Sequence, residues 1–433
     1  MSERPLPTRA SQIAEPHQLH GAAAGSGARW WAWLDQGLAS LGNFATTLII
    51  ARGLPAAEFG VFAVMFAALL VLNTFQAALV TFPLSIRGPA LGRRELAALT
   101  STALLATWAV SAVLACLACA AVWSTGRLTL APVVVAALFC GQMQETTRAA
   151  FFAHFRQRDA IAGDALSYLG QAAILFVLSH LGWLSPESAF LVIAVTSGAA
   201  FALQAMQLRL PLPRARGWNA FVGDAIRFGT WGLPARIGTL FGAQAFPWVL
   251  FYSHGAAAAA AFQVMTSAVA FTNPVMIGTA NLVTTTVASG RGAQRFARAF
   301  RHAWHGWALM APFLLLVVLF PATTLRLLYG ANPAYAEHAG GLWMMVAACA
   351  CEAVVIQAIA VIGGLGNTRT LFMMQATGLG IAVAFGLPLT VYGGVRAALC
   401  GYLAVQIGRL LFAVRAWSSI AAREPLHLAG ATV

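Results

Sequence analysis

The chain has 433 residues, of which 60% are hydrophobic and only 9% are charged, and its mean hydropathy is +0.75. A soluble domain carries about 25% charged residues, so this composition excludes a water-soluble enzyme, a disordered chain and a coiled coil, and it predicts an all-α polytopic membrane protein. The formal net charge is +13, and every basic residue is Arg. Because these arginines lie between apolar stretches, we assign them to membrane loops and expect no nucleic-acid partner.

Residues 1–28 are polar and lack the apolar core of a signal peptide, so we expect a cytosolic tail that is not cleaved. From Arg29 onward the apolar stretches predict about twelve membrane-spanning helices. The predicted spans are 30–51, 59–83, 95–123, 130–153, 160–181, 187–208, 224–251, 257–288, 303–328, 338–362, 369–391 and 395–417.

The placement of Arg predicts the orientation. Loops on the side of the N-terminus hold eighteen arginines and the opposite loops hold four. This asymmetry fits the positive-inside rule with both termini in the cytosol. If one predicted helix were missing or in excess, every later loop would change sides and its arginines would count for the wrong side. The consistent alternation of arginine-rich and arginine-poor loops therefore also favours an even number of helices.

A weak internal repeat indicates two halves. When the sequence is shifted by 200 residues, Trp31 aligns with Trp231, Gly42 with Gly242 and Asn73 with Asn273. The first two spans then superpose on the seventh and eighth. We therefore predict one six-helix bundle over 29–212 and a second over 213–433, related by an axis along the membrane normal.

Three segments carry a family resemblance. The polar first span at 33–44 is followed by Ala-Arg and Glu-Phe-Gly within 51–60, and Gln-Glu-Thr-Thr-Arg lies at 144–148. The turn Gly-Leu-Gly-Asn-Thr-Arg lies at 364–369. Together they resemble the polysaccharide flippases of the MOP (multidrug, oligosaccharidyl-lipid, polysaccharide) superfamily, over most of the chain from about Trp31 to Arg415.

This resemblance implies a MATE-like fold, two six-helix bundles around a central cavity, and alternating access. It implies that the cargo is a polyprenyl-diphosphate-linked oligosaccharide for surface polysaccharide, and that the protein lies in a bacterial inner membrane. An ion-coupled multidrug or cation antiporter of the same fold is the alternative. A membrane glycosyltransferase or polymerase is less well supported, because the outer loops are short and poor in acidic residues.

No cofactor or metal is expected. The pair Cys116 and Cys119 has no second pair or nearby His to complete a zinc site. The sequence also lacks a GxxxxGK[ST] loop, so ATP is not the direct energy source. Coupling is instead expected from a proton or sodium gradient that acts on carboxylates within the membrane.

Two carboxylates are candidates for this ion coupling. Glu352 lies near the middle of the tenth span, where a charge costs at least about 2.5–3.5 kcal/mol. Asp35 lies about a third of the way into the first span. A neutral, hydrogen-bonded role for Glu352 and a capping role for Asp35 are the structural alternatives.

Four residues are candidates for cargo binding. Arg236 follows Pro234 in the seventh span, and its planar guanidinium suits a diphosphate. We expect Asp35 to hold Arg236 until the cargo competes for it. Arg148 is spaced i, i+3 from Glu145, so a local ion pair near the cytosolic end is the structural alternative for it. Asn43 and Asn73 give the first helices polar faces. Interfacial positions are expected for Asp164, His302 and His305.

Overall fold

The computed structural model describes residues 26–88, 91–154, 156–211, 217–289, 294–330, 332–365 and 367–429. The predicted tail therefore lies almost entirely outside the described residues. The first six long helices are α1 (Ser26–Gly53), α2 (Ala56–Gln76 and Phe82–Arg87), α3 (Arg93–Ser124), α4 (Ala131–Ala153), α5 (Gln157–Asp164 and Gly170–His180) and α6 (Pro186–Leu208).

Six more follow, of which the first four are α7 (Trp218–His254), α8 (Ala256–Val269 and Asn273–Ser289), α9 (Gln294–Leu319) and α10 (Leu342–Gly364). The last two, α11 and α12, form one helical stretch from Thr368 to Ala429 that is interrupted at Gly394. Gly394 has φ 60° and ψ −146°, a conformation that glycine adopts without strain. We label the part before it α11 and the part after it α12.

Nine stretches within the described residues are long and apolar enough to cross a membrane. One of them, Arg369–Ser418, contains both α11 and α12. The first helix, α1, and its counterpart at the start of the second half, α7, fall outside the nine. The prediction of an all-α membrane protein with about twelve long helices is confirmed. The division of the chain near residue 212 stays a prediction, since 212–216 lie outside the described part.

The ninth helix differs from its predicted span of 303–328. It begins at Gln294 and ends at Leu319, and Pro321 starts a separate short helix, Pro321–Tyr329. Proline lacks the backbone N–H that would continue α9, and it is well tolerated at the first turn of a new helix. His302 and His305 therefore lie two to three turns inside α9.

Three of the long helices contain a π-helical turn. These turns cover Ala77–Thr81 in α2, Ala165–Leu169 in α5 and Ala382–Gly386 in α11. Each adds one residue to a helical turn, and such turns are frequent at functional sites. The turn in α5 begins directly after Asp164.

The largest apolar cluster joins both halves of the chain on the predicted outer side. It includes Phe62 and Phe190 from the N-terminal half and Phe246, Phe262 and Tyr335 from the C-terminal half. Smaller clusters occupy the predicted cytosolic side. The halves are therefore held together most extensively at the outer side.

A close backbone approach marks this outer contact. A Cβ atom on Gly60 of α2 would lie 1.9 Å from the carbonyl oxygen of Ala256 at the start of α8. Nearby, the guanidinium of Arg52 donates to the carbonyls of Leu327 and Leu328, in the last turn of the short helix after α9. Only glycine permits this spacing of α2 and α8.

Candidate transport site

An ion cluster lies inside the N-terminal half, where α1, α4 and α5 meet. The Arg148 guanidinium is 2.5 Å from an Asp35 carboxylate oxygen, 3.0 Å from Asp164 and 3.5 Å from Glu145. The side chains of Asp35 and Asp164 are fully buried. Three carboxylates around one guanidinium leave excess negative charge when all are ionised, and a proton or a monovalent cation can compensate it.

Amide and hydroxyl groups from neighbouring helices fix these carboxylates. The Gln204 amide donates to Asp164 over 3.2 Å, and the Tyr168 hydroxyl donates to Glu145 over 3.3 Å. Thr147 in turn donates to the Gln204 side-chain oxygen over 2.7 Å. Such a network of buried polar groups orients the charged side chains, and removing one member of the network is expected to lower the stability of the fold.

A second polar cluster lies in the same half. The Gln142 amide donates to the Asn73 side chain over 3.2 Å, while Ser111 donates to Gln142 over 2.6 Å. Gln76 donates to Thr146 over 2.8 Å. Asn73 therefore bridges α2 to α4. Asn43 has an exposed side chain, and its backbone carbonyl accepts a hydrogen bond from Thr47.

Glu352 lies in the C-terminal half, away from the Arg148 cluster. The Tyr402 hydroxyl donates to Glu352 over 3.4 Å, and Arg409 donates to Gln406 over 2.9 Å one turn further along α12. Glu352 lines a cavity of about 290 Å³ with polar neighbours from α7 and α8, namely Gln244, Gln263, Thr266 and Asn273. Within the described residues, Glu352 makes no direct ion pair, although Arg409 is close enough to attract its carboxylate electrostatically.

A larger cavity, of about 580 Å³, lies between the two halves. Its walls come from α1, α8 and α9, and its polar lining residues are Gln36, Thr279, Asn281, Thr285, His302 and His305. All three helices contribute from the parts near their predicted cytosolic ends. Among the described residues, the lining contains no carboxylate, and His302 and His305 are its two side chains that can take up a proton.

The structure brings some of the predicted site residues together and separates others. Asp35 pairs with Arg148, although we expected it to face Arg236, whose side chain lies outside the described ones. Asp164 is buried in the ion cluster and is not interfacial as predicted. His302 and His305 line the cavity between the halves. We expected both at the membrane interface, because they lie at the predicted start of the ninth span.

Within the described residues, no group of three His, Cys, Asp or Glu side chains is arranged to hold a metal ion.

Comparison with known proteins shows the fold. No protein-family model matches the chain, and no curated protein does. Among solved structures, an inward-facing multidrug-resistance MATE transporter of the MOP superfamily superposes with a TM-score of 0.67 at 12% identity, over 89% of this chain and 96% of the other. The outward-facing form of a MATE transporter gives 0.62 at 13% identity, over 91% and 96%.

A third structure is a MOP superfamily transporter from Pyrococcus furiosus, reported for the reversed polarity of its binding pocket. It superposes with a TM-score of 0.65 at 12% identity, over 91% of this chain and 96% of that one. The chain is therefore a multi-pass membrane protein with the fold of the MOP superfamily transporters.

Proposed function

We propose that this protein flips a polyprenyl-diphosphate-linked oligosaccharide across a bacterial inner membrane by alternating access, for the export of surface polysaccharide. The observation that carries the proposal is the chemical make-up of the cavity between the halves. Among the described residues its lining presents two imidazoles and no carboxylate, which suits an anionic headgroup better than a cationic drug. The diphosphate and sugar then cross within the cavity while the lipid chain stays in the hydrocarbon.

The shape of the molecule supports alternating access. The halves are closed at the predicted outer side by the largest apolar cluster and by the contacts of Arg52. The cavity lies towards the predicted cytosolic side, on which both termini would lie. Solved structures of this fold include inward-facing and outward-facing forms. The present arrangement corresponds to one that receives cargo from the cytosolic leaflet.

Asp35 and Glu352 are proposed to couple transport to a proton or sodium gradient. The two carboxylates lie within the membrane, one in each half. Each accepts a hydrogen bond, from Arg148 or from Tyr402, and these donors can reorient when the charge of the carboxylate changes. Arg148 is proposed to act as the counter-ion of Asp35 and Asp164. Arg236, Asn43 and Asn73 stay candidates for contacts with the cargo.

Reconstitution tests this function. Proteoliposomes that contain a labelled polyprenyl-diphosphate-oligosaccharide should move the label between leaflets faster than protein-free vesicles, and an imposed pH or sodium gradient should change the rate. Movement of a cationic dye without movement of the labelled lipid would favour the antiporter. A chemically altered lipid product would favour the glycosyltransferase.

A further inference from the structure

A basic stripe runs along one face of α9. Arg298, His302 and His305 are spaced by four and three residues, so they lie on one side of the helix and rise towards the membrane centre by about 6 and 4.5 Å. The two histidines line the cavity between the halves, and Arg298 is exposed one turn before them. Leu309, one turn after His305, continues the same face into the cavity and ends the stripe.

Within the described residues, no carboxylate lines the cavity beside this stripe, and Glu352 of α10, which also packs against α9, lines the other cavity. Neither α8 nor α9 contains Asp or Glu. On α1, Asp35 directly precedes the cavity-lining Gln36, but it is fully buried against Arg148. A basic stripe that has no counter-charge among the described lining residues is a candidate site for an external anion.

The ring of His305 has a defined orientation. Its Nδ1 lies 2.6 Å from the carbonyl oxygen of Arg301, and because a carbonyl oxygen only accepts, Nδ1 carries the proton. Nε2 is then the ring atom that faces a ligand, and it donates when the imidazole is protonated. The side chains of Asn281 and Gln36, on the two other walls, add amide donors to the same space.

Apart from Thr279 and Thr285, the rest of the described lining is apolar. Pro274, Val275, Leu282 and Leu309 lie in the same cavity, and Leu309 is 69% exposed. A free phosphate ion would gain nothing from these side chains, whereas the first isoprene units of a lipid would pack against them. The cavity is thus amphipathic, with its charge towards the predicted cytosolic surface.

We propose that Arg298, His302 and His305 bind the diphosphate of an isoprenoid lipid. This assignment rests on the proposed function and names the residues that recognise its cargo. The axial offset of about 4.5 Å between the histidines allows each imidazole to contact one of two adjacent phosphoryl groups. Arg298 meets the headgroup first, at the edge of the membrane.

Binding of farnesyl diphosphate to the purified full-length protein tests the proposal. The double variant His302→Gln/His305→Gln keeps polar side chains but cannot acquire charge. Its affinity should fall about 10- to 100-fold, because a hydrogen bond to a charged group contributes about 1.5–3 kcal/mol. Farnesol should bind weakly to both proteins, and inorganic diphosphate should bind the parent less tightly than farnesyl diphosphate does.

Two variants serve as controls. His180, in the N-terminal half, makes the same contact with the carbonyl four residues earlier, at 2.9 Å, but lies outside the cavity. His180→Gln should therefore bind farnesyl diphosphate like the parent. His305→Arg keeps a cation and should retain most of the affinity. Gel filtration and thermal unfolding of every variant identify any loss that comes from misfolding.

The outcomes are separable. Unchanged affinity in the folded double variant would overturn the assignment, and so would farnesol binding as tight as that of farnesyl diphosphate. Inorganic diphosphate that binds as tightly as the lipid would identify a free-phosphate site instead. If the binding results hold while reconstituted parent protein moves no lipid-linked oligosaccharide, the diphosphate site stands and the flippase function fails.

Discussion

Arg148 lies in a strongly charged environment, because it contacts carboxylates from three positions of the N-terminal half. Its side chain is 17% exposed, and the two aspartates that it contacts are fully buried. Removing one partner from a buried ion pair leaves an uncompensated charge, which costs more than the pair itself contributes.

We therefore expect Arg148→Ala to lower the free energy of unfolding by about 3–5 kcal/mol, measured by thermal or denaturant unfolding in detergent. Arg156→Ala is the matched control, since Arg156 pairs with Asp159 in a half-exposed i, i+3 contact and should cost less than about 1 kcal/mol. Adding Asp35→Asn to Arg148→Ala should recover part of the loss. Equal stability of both single variants would show that the cluster is not tightly coupled.

Glu352 gives a functional prediction at the same scale. Glu352→Gln keeps the size of the side chain and its contact with Tyr402, so the protein should fold and bind cargo normally. It should lose transport driven by a pH or sodium gradient in proteoliposomes. Glu187→Gln, at the outer start of α6, removes a carboxylate that accepts from Thr129 and should leave coupling intact. Normal gradient dependence in Glu352→Gln would remove Glu352 as the coupling residue.

Sequence reasoning could find single residues by their depth but could not find their partners. Asp35 and Glu352 stand out because carboxylates are rare in apolar spans. The partner of Asp35, however, is 113 residues away, and only the packing of α1 on α4 and α5 brings Arg148 to it. The 200-residue repeat pointed to Arg236 instead. Such a repeat aligns residues at similar depths in the membrane, but it does not indicate the direction in which each side chain points.

At the scale of helices, the crossing of α2 and α8 depends on Gly60. Gly60→Ala places a methyl group against the Ala256 carbonyl, so the helices must separate at the outer side. We expect a loss of about 1–3 kcal/mol in unfolding free energy and faster reaction of a cysteine placed at Ala256 with an external reagent. The control is Gly141→Ala, which has no neighbour within 4 Å of the added atom. Unchanged reactivity would mean that this crossing does not close the outer side.

The ends of a helix could be predicted where the composition changes sharply between helix and loop. The prediction failed where the first helical turns resemble a loop in composition. The span predicted as 187–208 matches α6, which has Ser185 as its N-cap and Pro186 in its first turn. The predicted start of α9 was late by nine residues, because the first turns of α9 are basic and read as a loop. Of the nine residues that the prediction missed, His302 lines the cavity, whereas His305, Gly306 and Leu309 lay inside the predicted span.

At the scale of the whole molecule, the number of helices follows from composition, but the orientation rests on charge counting alone. In a variant without the six native cysteines, a cysteine at Ala215 or at Gln294 should react only with reagents that reach the cytosol. A cysteine at Asn332 should react from outside. Labelling of Gln294 from outside would overturn the predicted topology, and labelling of permeabilised cells controls for accessibility.

The gap between the two halves could not be predicted from the sequence. Hydropathy places each helix in the membrane, yet a cavity depends on where two bundles fail to touch, and no local pattern encodes that distance. The lining residues Asn281 and Thr285 illustrate the point, because their polarity alone does not separate a cavity wall from a helix contact.

The π-helical turn of α5 has a mechanical consequence. Because it holds one residue more than an α-helical turn, its conversion to regular α-helix would rotate one end of α5 against the other by about 100° and shift it by about 1.5 Å. Asp164 lies at one edge of this turn, and Tyr168 lies within it. Such a conversion would change the direction of Tyr168 relative to Asp164, so the π-helical turn links the geometry of the ion cluster to the rotation of the outer half of α5.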